Sequence, residues 1–254
     1  MRLLIRASEK VGGFIYRVFK RRIFLRSAYG PWLKYRLDKT YRLSLYGQYA
    51  DRVIAELELL EGNDLFLDIG ANTGLFSLYA SKRGKNIRIF TFEPNSSIFP
   101  LLLNNIARNK CFNIVPFNAA ISDTNGEVSF MAVEKHSGKS HITNDGQSVK
   151  VLSLSKESLG FLPALNFGKC IIKIDVEGAE YVVLRQLEVF LQKHAKNCTI
   201  IVEINDEHLN RFNDTRKDIY EYMSGFGFRP RYKEDAPHFD EVFEHPEQTN
   251  NTSP

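Results

Sequence analysis

Residues 64–74 constrain the fold of this chain more than any other stretch. Residues 65–67 form an apolar run, which is typical of a buried strand. Gly70 and Gly74 follow it and predict a tight turn, because glycine adopts backbone conformations that other residues avoid. Residues 75–81 then predict a helix. A buried strand, a glycine turn and a helix form the first unit of a doubly wound α/β sheet.

The rest of the chain continues this alternation of strands and helices. Helices are predicted over residues 48–60, 96–108, 179–194 and 213–224. Buried strands are predicted over 87–92, 112–117, 170–175 and 200–203, with two further strands over 127–133 and 148–152 and a closing hairpin over 226–232 and 241–243. Residues 136–146 are polar and predict a mobile loop. The pattern indicates one doubly wound, mostly parallel α/β domain over residues 46–245, followed by a polar tail over 246–254.

Positive charge is concentrated at the amino end. The formal net charge is +4, whereas residues 1–50 contain 12 Lys and Arg against Glu9 and Asp38, a net of +10, so the remainder carries 4 − 10 = −6. This distribution disfavours a nucleic-acid groove in the body of the domain. Residues 1–45 predict a basic helical extension with an amphipathic helix over 14–25. This helix either caps the domain or makes peripheral contact with an anionic membrane surface.

The three cysteines, Cys111, Cys170 and Cys198, are odd in number and widely spaced, which disfavours a metal or redox role. Cys170 and Cys198 each begin a predicted buried strand, where a free thiol behaves as a small hydrophobic side chain. The longest apolar run near the start is residues 3–5, too short for a signal peptide or a membrane span. We therefore expect a cytoplasmic protein. The sequence leaves its oligomeric state open.

Polar or acidic residues stand at the ends of five predicted strands: Asp68, Glu93, Asn118, Asp175 and Glu203. In open α/β sheets, ligands bind beyond the carboxyl ends of the strands, where the strand order reverses. Glu93 lies 19 residues after Gly74, a spacing at which an acidic residue binds ribose hydroxyls. The series therefore predicts a nucleoside ligand at this edge of the sheet.

The chemistry of the glycine turn narrows the ligand. Asp68 would repel a pyrophosphate and suits an amino group instead. Asn72 and Leu75 occupy positions where the dinucleotide pattern G-x-G-x-x-G needs glycine, which disfavours a nicotinamide cofactor. The amide of Asn118 suits an adenine edge, and Ala119 leaves room for the ring. A ligand that joins a nucleoside to an amino acid is S-adenosylmethionine, which we expect as the cofactor.

In these residues and their spacing, the chain resembles the FkbM family of class I S-adenosylmethionine-dependent methyltransferases. The resemblance covers residues 46–245, and its most specific block is residues 173–180, Lys-Ile-Asp-Val-Glu-Gly-Ala-Glu. It implies a seven-stranded sheet whose last strand is antiparallel. The other matching blocks are residues 67–74, 92–95, 104–105 with Asn109, 118–123 and 201–203.

The resemblance also implies an activity and roles for particular residues. The activity is methyl transfer, usually to a hydroxyl of a sugar in a glycan, polysaccharide or lipid-linked saccharide, or of a polyketide. The first turn would bind the methionine end, Glu93 the ribose and Asn118 the adenine. The expected cofactor-binding residues are Asp68, Gly70, Asn72, Thr73, Gly74, Glu93, Asn118 and Ala119.

A sugar hydroxyl needs a general base before it can attack a methyl group. Asp175 either orients the methionine amino group or accepts the proton; Glu177 is the second candidate base, and Glu203 completes the expected catalytic set. These carboxylates could in principle bind Mg²⁺, but two or three carboxylates are as often simple site acids, so no metal site is predicted.

Two other kinds of function stay open at this stage. One is methylation of a non-saccharide small molecule or a protein by the same core. The other is a non-catalytic cofactor-binding partner subunit, which the intact acids Asp68, Glu93 and Asp175 disfavour.

Overall fold

The computed structural model describes residues 23–47, 51–133, 136–143 and 148–249. In chain order its strands are β1 (Phe24–Arg26), β2 (Trp32–Lys34), β3 (Leu65–Ile69), β4 (Arg88–Phe92), β5 (Ile114–Phe117), β6 (Ala120–Ile121), β7 (Gly126–Met131), β8 (His141–Ile142), β9 (Val149–Leu154), β10 (Cys170–Ile174), β11 (Cys198–Asn205), β12 (Arg229–Pro230) and β13 (His238–Glu244). Its α-helices are α1 (Lys39–Tyr46), α2 (Asp51–Leu57), α3 (Leu75–Arg83), α4 (Phe99–Asn109), α5 (Glu180–Gln186), α6 (Glu188–His194), α7 (Asp206–Leu209), α8 (Arg216–Gly225) and α9 (Pro246–Thr249). Short 3₁₀ turns cover Ser137–Lys139, Leu162–Ala164, Ala195–Asn197 and Asn210–Phe212.

A seven-stranded sheet forms the centre of the fold, in the order β12-β13-β11-β10-β3-β4-β5. Within it β13 runs antiparallel to both of its neighbours, and the other pairings are parallel. The predicted α/β class, the mostly parallel sheet and its antiparallel strand are confirmed. The chain passes from β3 outward to β4 and β5 and then returns to β10 on the other side of β3. The strand order therefore reverses between β3 and β10, where such sheets bind their ligands.

The two faces of the sheet bury separate cores, because successive side chains of a strand point to opposite faces. Leu65, Leu67 and Ile69 of β3 pack in one cluster with residues of α5, α6 and α8. Phe66 packs on the other face with residues of α2 and α3. Every residue of β3 and β10 is buried, as expected for central parallel strands covered by helices on both sides.

The segment before α2 is built into the second of these cores. Leu33 of β2 and Tyr41 of α1 are fully buried there. Asn109 of α4 also contacts β2: its Oδ1 accepts from Trp32 N at 2.9 Å, and its Nδ2 donates to Trp32 O at 2.7 Å. Residues 32–41 therefore pack as part of the α/β body, while the division at residue 45 stays a prediction.

Three predicted elements differ from the structure. The helix over 14–25 lies mostly outside the described residues, and its last two positions, Phe24 and Leu25, belong to β1. The helix over 179–194 is two helices, α5 and α6, because the buried Leu187 ends the first and begins the second. The described part of the polar loop over 136–146 forms a 3₁₀ turn and β8 rather than an unstructured segment.

A second sheet has four strands in the order β6-β9-β7-β8. The predicted strands over 127–133 and 148–152 correspond to β7 and β9. The sequence did not predict β6 and β8, because two residues are too few to show an alternating pattern.

All three cysteines are free and buried, as predicted for Cys170 and Cys198. Cys170 and Cys198 begin the neighbouring parallel strands β10 and β11 and lie opposite each other in register. Both thiols are therefore at the amino edge of the sheet. No helix in the described part of the chain is both long enough and apolar enough to cross a bilayer.

Candidate functional site

A cavity of about 590 Å³ lies at the carboxyl edge of the central sheet. Residues at the ends of four neighbouring strands line it: Gly70 after β3, Glu93 after β4, Asp175 after β10 and Glu203 in β11. Thr40 of α1 and Ser137 of the first 3₁₀ turn line it as well. The volume lies within the roughly 300–1,000 Å³ typical of small-molecule sites.

The glycine turn brings two strand ends into direct contact. Gly70 has a φ of 82°, and a Cβ atom there would overlap the carbonyl oxygen of Asp175. Gly70 N and Ala71 N both donate to Phe92 O at 3.0 Å, which fixes the turn against the end of β4. Only glycine allows this close packing, so the turn after β3 has a fixed position in the cavity wall.

Asn72 connects the glycine turn to the segment on the far side of the cavity. Its φ of 51° lies in the left-handed region, which is unusual outside glycine. Its Nδ2 donates to Ser137 Oγ at 3.1 Å, and its Oδ1 accepts from Thr73 N at 2.9 Å. Thr73 O in turn accepts from Asn105 Nδ2 at 2.9 Å. Asn72 and Thr73 therefore both line the cavity and position its walls.

Asp68 lies beneath the cavity instead of lining it. Its side chain is fully buried, and its Oδ2 accepts from Ser77 N at 3.1 Å and from Ser77 Oγ at 2.5 Å. Its Oδ1 is buried without a hydrogen-bond partner among the described residues. Burial raises the pKa of Asp68, and the nearby Lys173 opposes that rise. A direct role of Asp68 toward a methionine amino group stays a prediction.

Glu93 is buried and lines the cavity. Its Oε2 accepts from Asn72 N and its Oε1 from Asn95 N, both at 2.8 Å. Each oxygen keeps a second lone pair for a further donor. Burial raises the pKa of Glu93 to about 7, although the two backbone donors oppose the shift.

Asn118 and Ala119 follow β5 but differ in position. Asn118 Nδ2 donates to Glu93 O at 2.8 Å and to Pro94 O at 3.2 Å, so the amide joins the ends of β4 and β5. Ala119 is buried and lines the cavity, whereas Asn118 is absent from its lining. Asn118 therefore contacts the backbone of Glu93 and fixes its position, and a role of Asn118 toward adenine stays a prediction.

Acidic residues fill the opposite side of the cavity. Asp175 Oδ2 lies 3.0 Å from Lys173 Nζ, so the two side chains form an ion pair. Glu203 Oε1 lies 2.8 Å from His238 Nε2. Burial, followed by the charge of Asp175, raises the pKa of Glu203 to about 7. The hydrogen bond to Glu203 in turn raises the pKa of His238.

Glu177 occupies a strained position in the turn after β10, with a φ of 60°. Its Oε2 lies 2.8 Å from Nδ1 of His208 in α7. Burial, and next the charge of Glu203, raises the pKa of Glu177 to about 9, while burial lowers that of His208 to about 4. The buried Glu180 supports this turn, since its Oε1 accepts from Val176 N and Gly178 N at 3.0 and 3.1 Å.

The sequence did not identify His208, His238 and Asp240, which also line the cavity. In the β11–β13 register, His238 pairs with Asn205 and Asp240 with Glu203. The predicted last strand covered only 241–243, whereas β13 begins at His238. If the predicted last strand had been extended back to residue 238 as the antiparallel partner of β11, His238 and Asp240 would have been placed at the site.

A comparison of the sequence with known protein families identifies the family of this chain. The sequence profile described as "Methyltransferase FkbM domain" matches residues 68–230, well over half of the chain. No curated protein matches the chain.

Three solved structures are similar to the chain in fold. A precorrin-6y C5,15-methyltransferase from Geobacter metallireducens GS-15 is 13% identical, with a TM-score of 0.43 over 76% of this chain and 83% of its own. M. jannaschii TYW2 in complex with AdoMet is 13% identical, with a TM-score of 0.45 over 86% of this chain and 84% of its own. Aeropyrum pernix fibrillarin with bound S-adenosyl-L-methionine is 12% identical, with a TM-score of 0.44 over 89% of this chain and 83% of its own.

The family assignment rests on the sequence match, which spans the glycine turn, the strand-end acids and the turn after β10. The chain belongs to the FkbM family of methyltransferases, and S-adenosylmethionine is its cofactor.

Proposed function

We propose that this methyltransferase transfers the methyl group of S-adenosylmethionine to a hydroxyl of a saccharide. The observation that carries the proposal is the arrangement of one cavity with two chemically different sides. Glu93 and the glycine turn form one side, and Asp175, Glu177 and Glu203 form the other. The first suits a nucleoside, and the second suits an acceptor that must lose a proton.

The residues of the first side fit the cofactor chemically. Glu93 has a free lone pair on each oxygen for the two ribose hydroxyls. Ala119, Phe92 and Ile121 give the cavity a small or apolar surface suited to a flat ring. When bound, S-adenosylmethionine supplies a methyl group on a positively charged sulfur, so the attacking oxygen forms its C–O bond as the C–S bond breaks.

The residues of the second side suit removal of the acceptor proton. Asp175 is the least buried of the carboxylates discussed there, with 30% of its side chain exposed, and Lys173 fixes one of its oxygens. In this proposal its other oxygen accepts the proton of an acceptor in the cavity. A second contribution is orientation, since reaction needs the two reacting atoms within about 3–3.5 Å.

Polar groups around the cavity support a saccharide as the acceptor class. His136, Lys139 and Asn205 line the cavity with hydrogen-bond donors and acceptors. Several such groups suit a ligand that carries many hydroxyls. The family resemblance favours the same class, in a glycan, a polysaccharide or a lipid-linked saccharide.

The test compares surface and lipid-linked glycans from parent cells and from cells that lack the gene, by mass spectrometry. We expect one sugar in the parent to carry an O-methyl group that the deletion strain lacks, and a plasmid-borne copy to restore it. Purified enzyme with isotope-labelled cofactor should return the label to glycan from the deletion strain. Label found only in protein, or only in a non-saccharide small molecule, would contradict the proposal.

A further inference from the structure

Three side chains from separate segments converge on the acidic side of the cavity: Glu177 after β10, Glu203 in β11 and His208 in α7. One ligand atom from each lies within 4.8 Å of the other two. Two atoms bound to one ion at about 2.1 Å are roughly 3–4 Å apart, depending on their angle. A small side-chain movement would therefore let all three bind one ion.

Unpartnered buried atoms give a second, independent indication. His208 is only 9% exposed, and its Nδ1 makes no hydrogen bond although it lies 2.8 Å from Glu177 Oε2. Glu203 Oε2 is also buried without a hydrogen-bond partner among the described residues. Unsatisfied buried polar atoms cost free energy, and a shared cation would satisfy them together.

Neighbouring groups fix the positions of these side chains. His238 Nε2 lies 2.8 Å from Glu203 Oε1, which orients the carboxylate and leaves its other oxygen available. A Cβ atom at Gly178 would overlap the carbonyl oxygen of His208, so glycine lets the β10 turn pack directly on α7. Outer contacts of this kind commonly orient metal ligands in proteins.

We infer that Glu177, Glu203 and His208 form a binding site for one divalent transition-metal ion, with Mn²⁺ as the preferred class. Carboxylates suit Mg²⁺, Ca²⁺ and Mn²⁺, whereas an imidazole nitrogen suits transition metals. A set of two carboxylates and one imidazole therefore favours Mn²⁺ over Mg²⁺, with Zn²⁺ the next candidate. Three protein ligands leave positions open toward the cavity.

The open positions give the ion a role that rests on the proposed function. A hydroxyl bound to a divalent ion loses its proton more easily than a free one. The acceptor hydroxyl would bind the ion, its proton would pass to Asp175, and its oxygen would be positioned for attack on the methyl group. Metal binding itself does not require that function and can be measured without any acceptor.

The test uses the full-length chain, freed of metal with a chelator and titrated with MnCl₂ by calorimetry. We expect one Mn²⁺ per chain and weaker binding of Mg²⁺. Glu177→Gln and His208→Leu should each weaken Mn²⁺ binding by about 100-fold or more, beyond the 10–100-fold that outer contacts contribute. Mn²⁺ should also raise the melting temperature of the wild type but not of these variants.

Glu221→Gln is the matched control, because it removes an exposed carboxylate of α8 that does not line the cavity. It should bind Mn²⁺ like the wild type. If His208→Leu does not fold, Glu177→Gln decides alone, since glutamine keeps the shape of the glutamate. The inference fails if the wild type binds neither Mn²⁺ nor Zn²⁺, or if the folded Glu177→Gln variant binds Mn²⁺ unchanged.

Methyl transfer to deletion-strain glycan, measured with and without chelator, separates this inference from the proposed function. If one Mn²⁺ binds but no saccharide is methylated, the metal site stands and the proposed acceptor is wrong. If saccharide is methylated equally well with chelator and no ion binds, the proposed function stands and the metal site is wrong.

Discussion

Cofactor binding should depend directly on the ionisation of one side chain, Glu93. Burial raises the pKa of Glu93 to about 7. Ribose hydroxyls donate to an ionised carboxylate more strongly than to a neutral one, so binding should lower the pKa below its value in the empty protein. The affinity for S-adenosylmethionine should therefore rise with pH up to about 7, by at most about tenfold per pH unit, and level off above it.

Calorimetric titrations at about pH 6, 7 and 8 test this relation. Glu93→Gln should bind about 1–3 kcal/mol more weakly above pH 7 and should lose the dependence on pH, because its amide does not titrate there. The same slope in the wild type and in the variant would assign the pH dependence to other groups.

Asp175 is the residue we expect to accept the acceptor's proton. Asp175→Asn keeps the size of the side chain but removes its basicity, so it should fold and bind S-adenosylmethionine while losing most of its turnover. Single-turnover assays and a cofactor titration on the same protein measure both properties. Near wild-type turnover in this variant, together with loss of turnover in Glu177→Gln, would exchange the roles of the two acids.

At the scale of elements, the start of α1 is bonded to the 3₁₀ turn beside the cavity. Asp38 Oδ1 accepts from Tyr41 N at 3.1 Å and caps the helix, while its Oδ2 accepts from Ser137 N at 2.9 Å. Thr40 Oγ1 accepts from Gly138 N at 2.9 Å. The helix cap and the cavity wall therefore share one carboxylate.

Asp38→Ala should lower the free energy of unfolding by about 1–2 kcal/mol, the cost of a lost cap and a lost loop contact. It should also speed hydrogen exchange at residues 137–139. Thr215→Ala is the control, because Thr215 caps α8 through Asp218 N away from this turn. That variant should lose similar stability without faster exchange at 137–139; equal exchange in both variants would show that Asp38 does not restrain the turn.

The elements that the sequence predicted best are those with a strong local signal. The five buried residues of β3 and the glycine turn after it specify both their structure and their place at the sheet edge. The convergence of Gly70, Glu93, Asp175 and Glu203 on one cavity followed from the rule for parallel strands. Local signals do not determine the register between two strands. His238 reaches Glu203 only because β13 pairs with β11. The break at Leu187 likewise depends on packing rather than on periodicity.

At the scale of the whole molecule, the amino-terminal charge leaves two hypotheses open: a cap on the domain, or a peripheral, salt-sensitive attachment to anionic membranes. Residues 1–22 contain 7 Lys and Arg and one acid, Glu9, a net of +6. Each such side chain near an anionic surface contributes about 1 kcal/mol. Since Leu33 and Tyr41 are part of the core, the matched truncation removes residues 1–22 only.

Vesicle flotation measures this attachment. The full-length protein should rise with anionic vesicles, stay down with neutral ones and be released by high salt. Equal flotation of the chain without residues 1–22 would place the attachment elsewhere, and no flotation of either protein would leave the segment without a membrane role.

The buried cysteines make the protein its own reporter of unfolding. A thiol-reactive dye should modify Cys170 or Cys198 only when the central strands separate, so labelling should be slow unless the sheet opens. Both thiols begin their strands, at the edge opposite the cavity, so a ligand there does not shield them directly. Any slowing by S-adenosylmethionine therefore measures added stability, about 2.7 kcal/mol at a concentration 100 times Kd. Labelling at the rate of free thiols would show that the sheet opens without restraint. If labelling is slow, the further slowing that each saccharide causes ranks a panel of saccharides by affinity for the unmodified enzyme. This ranking needs no methylated product to be detected.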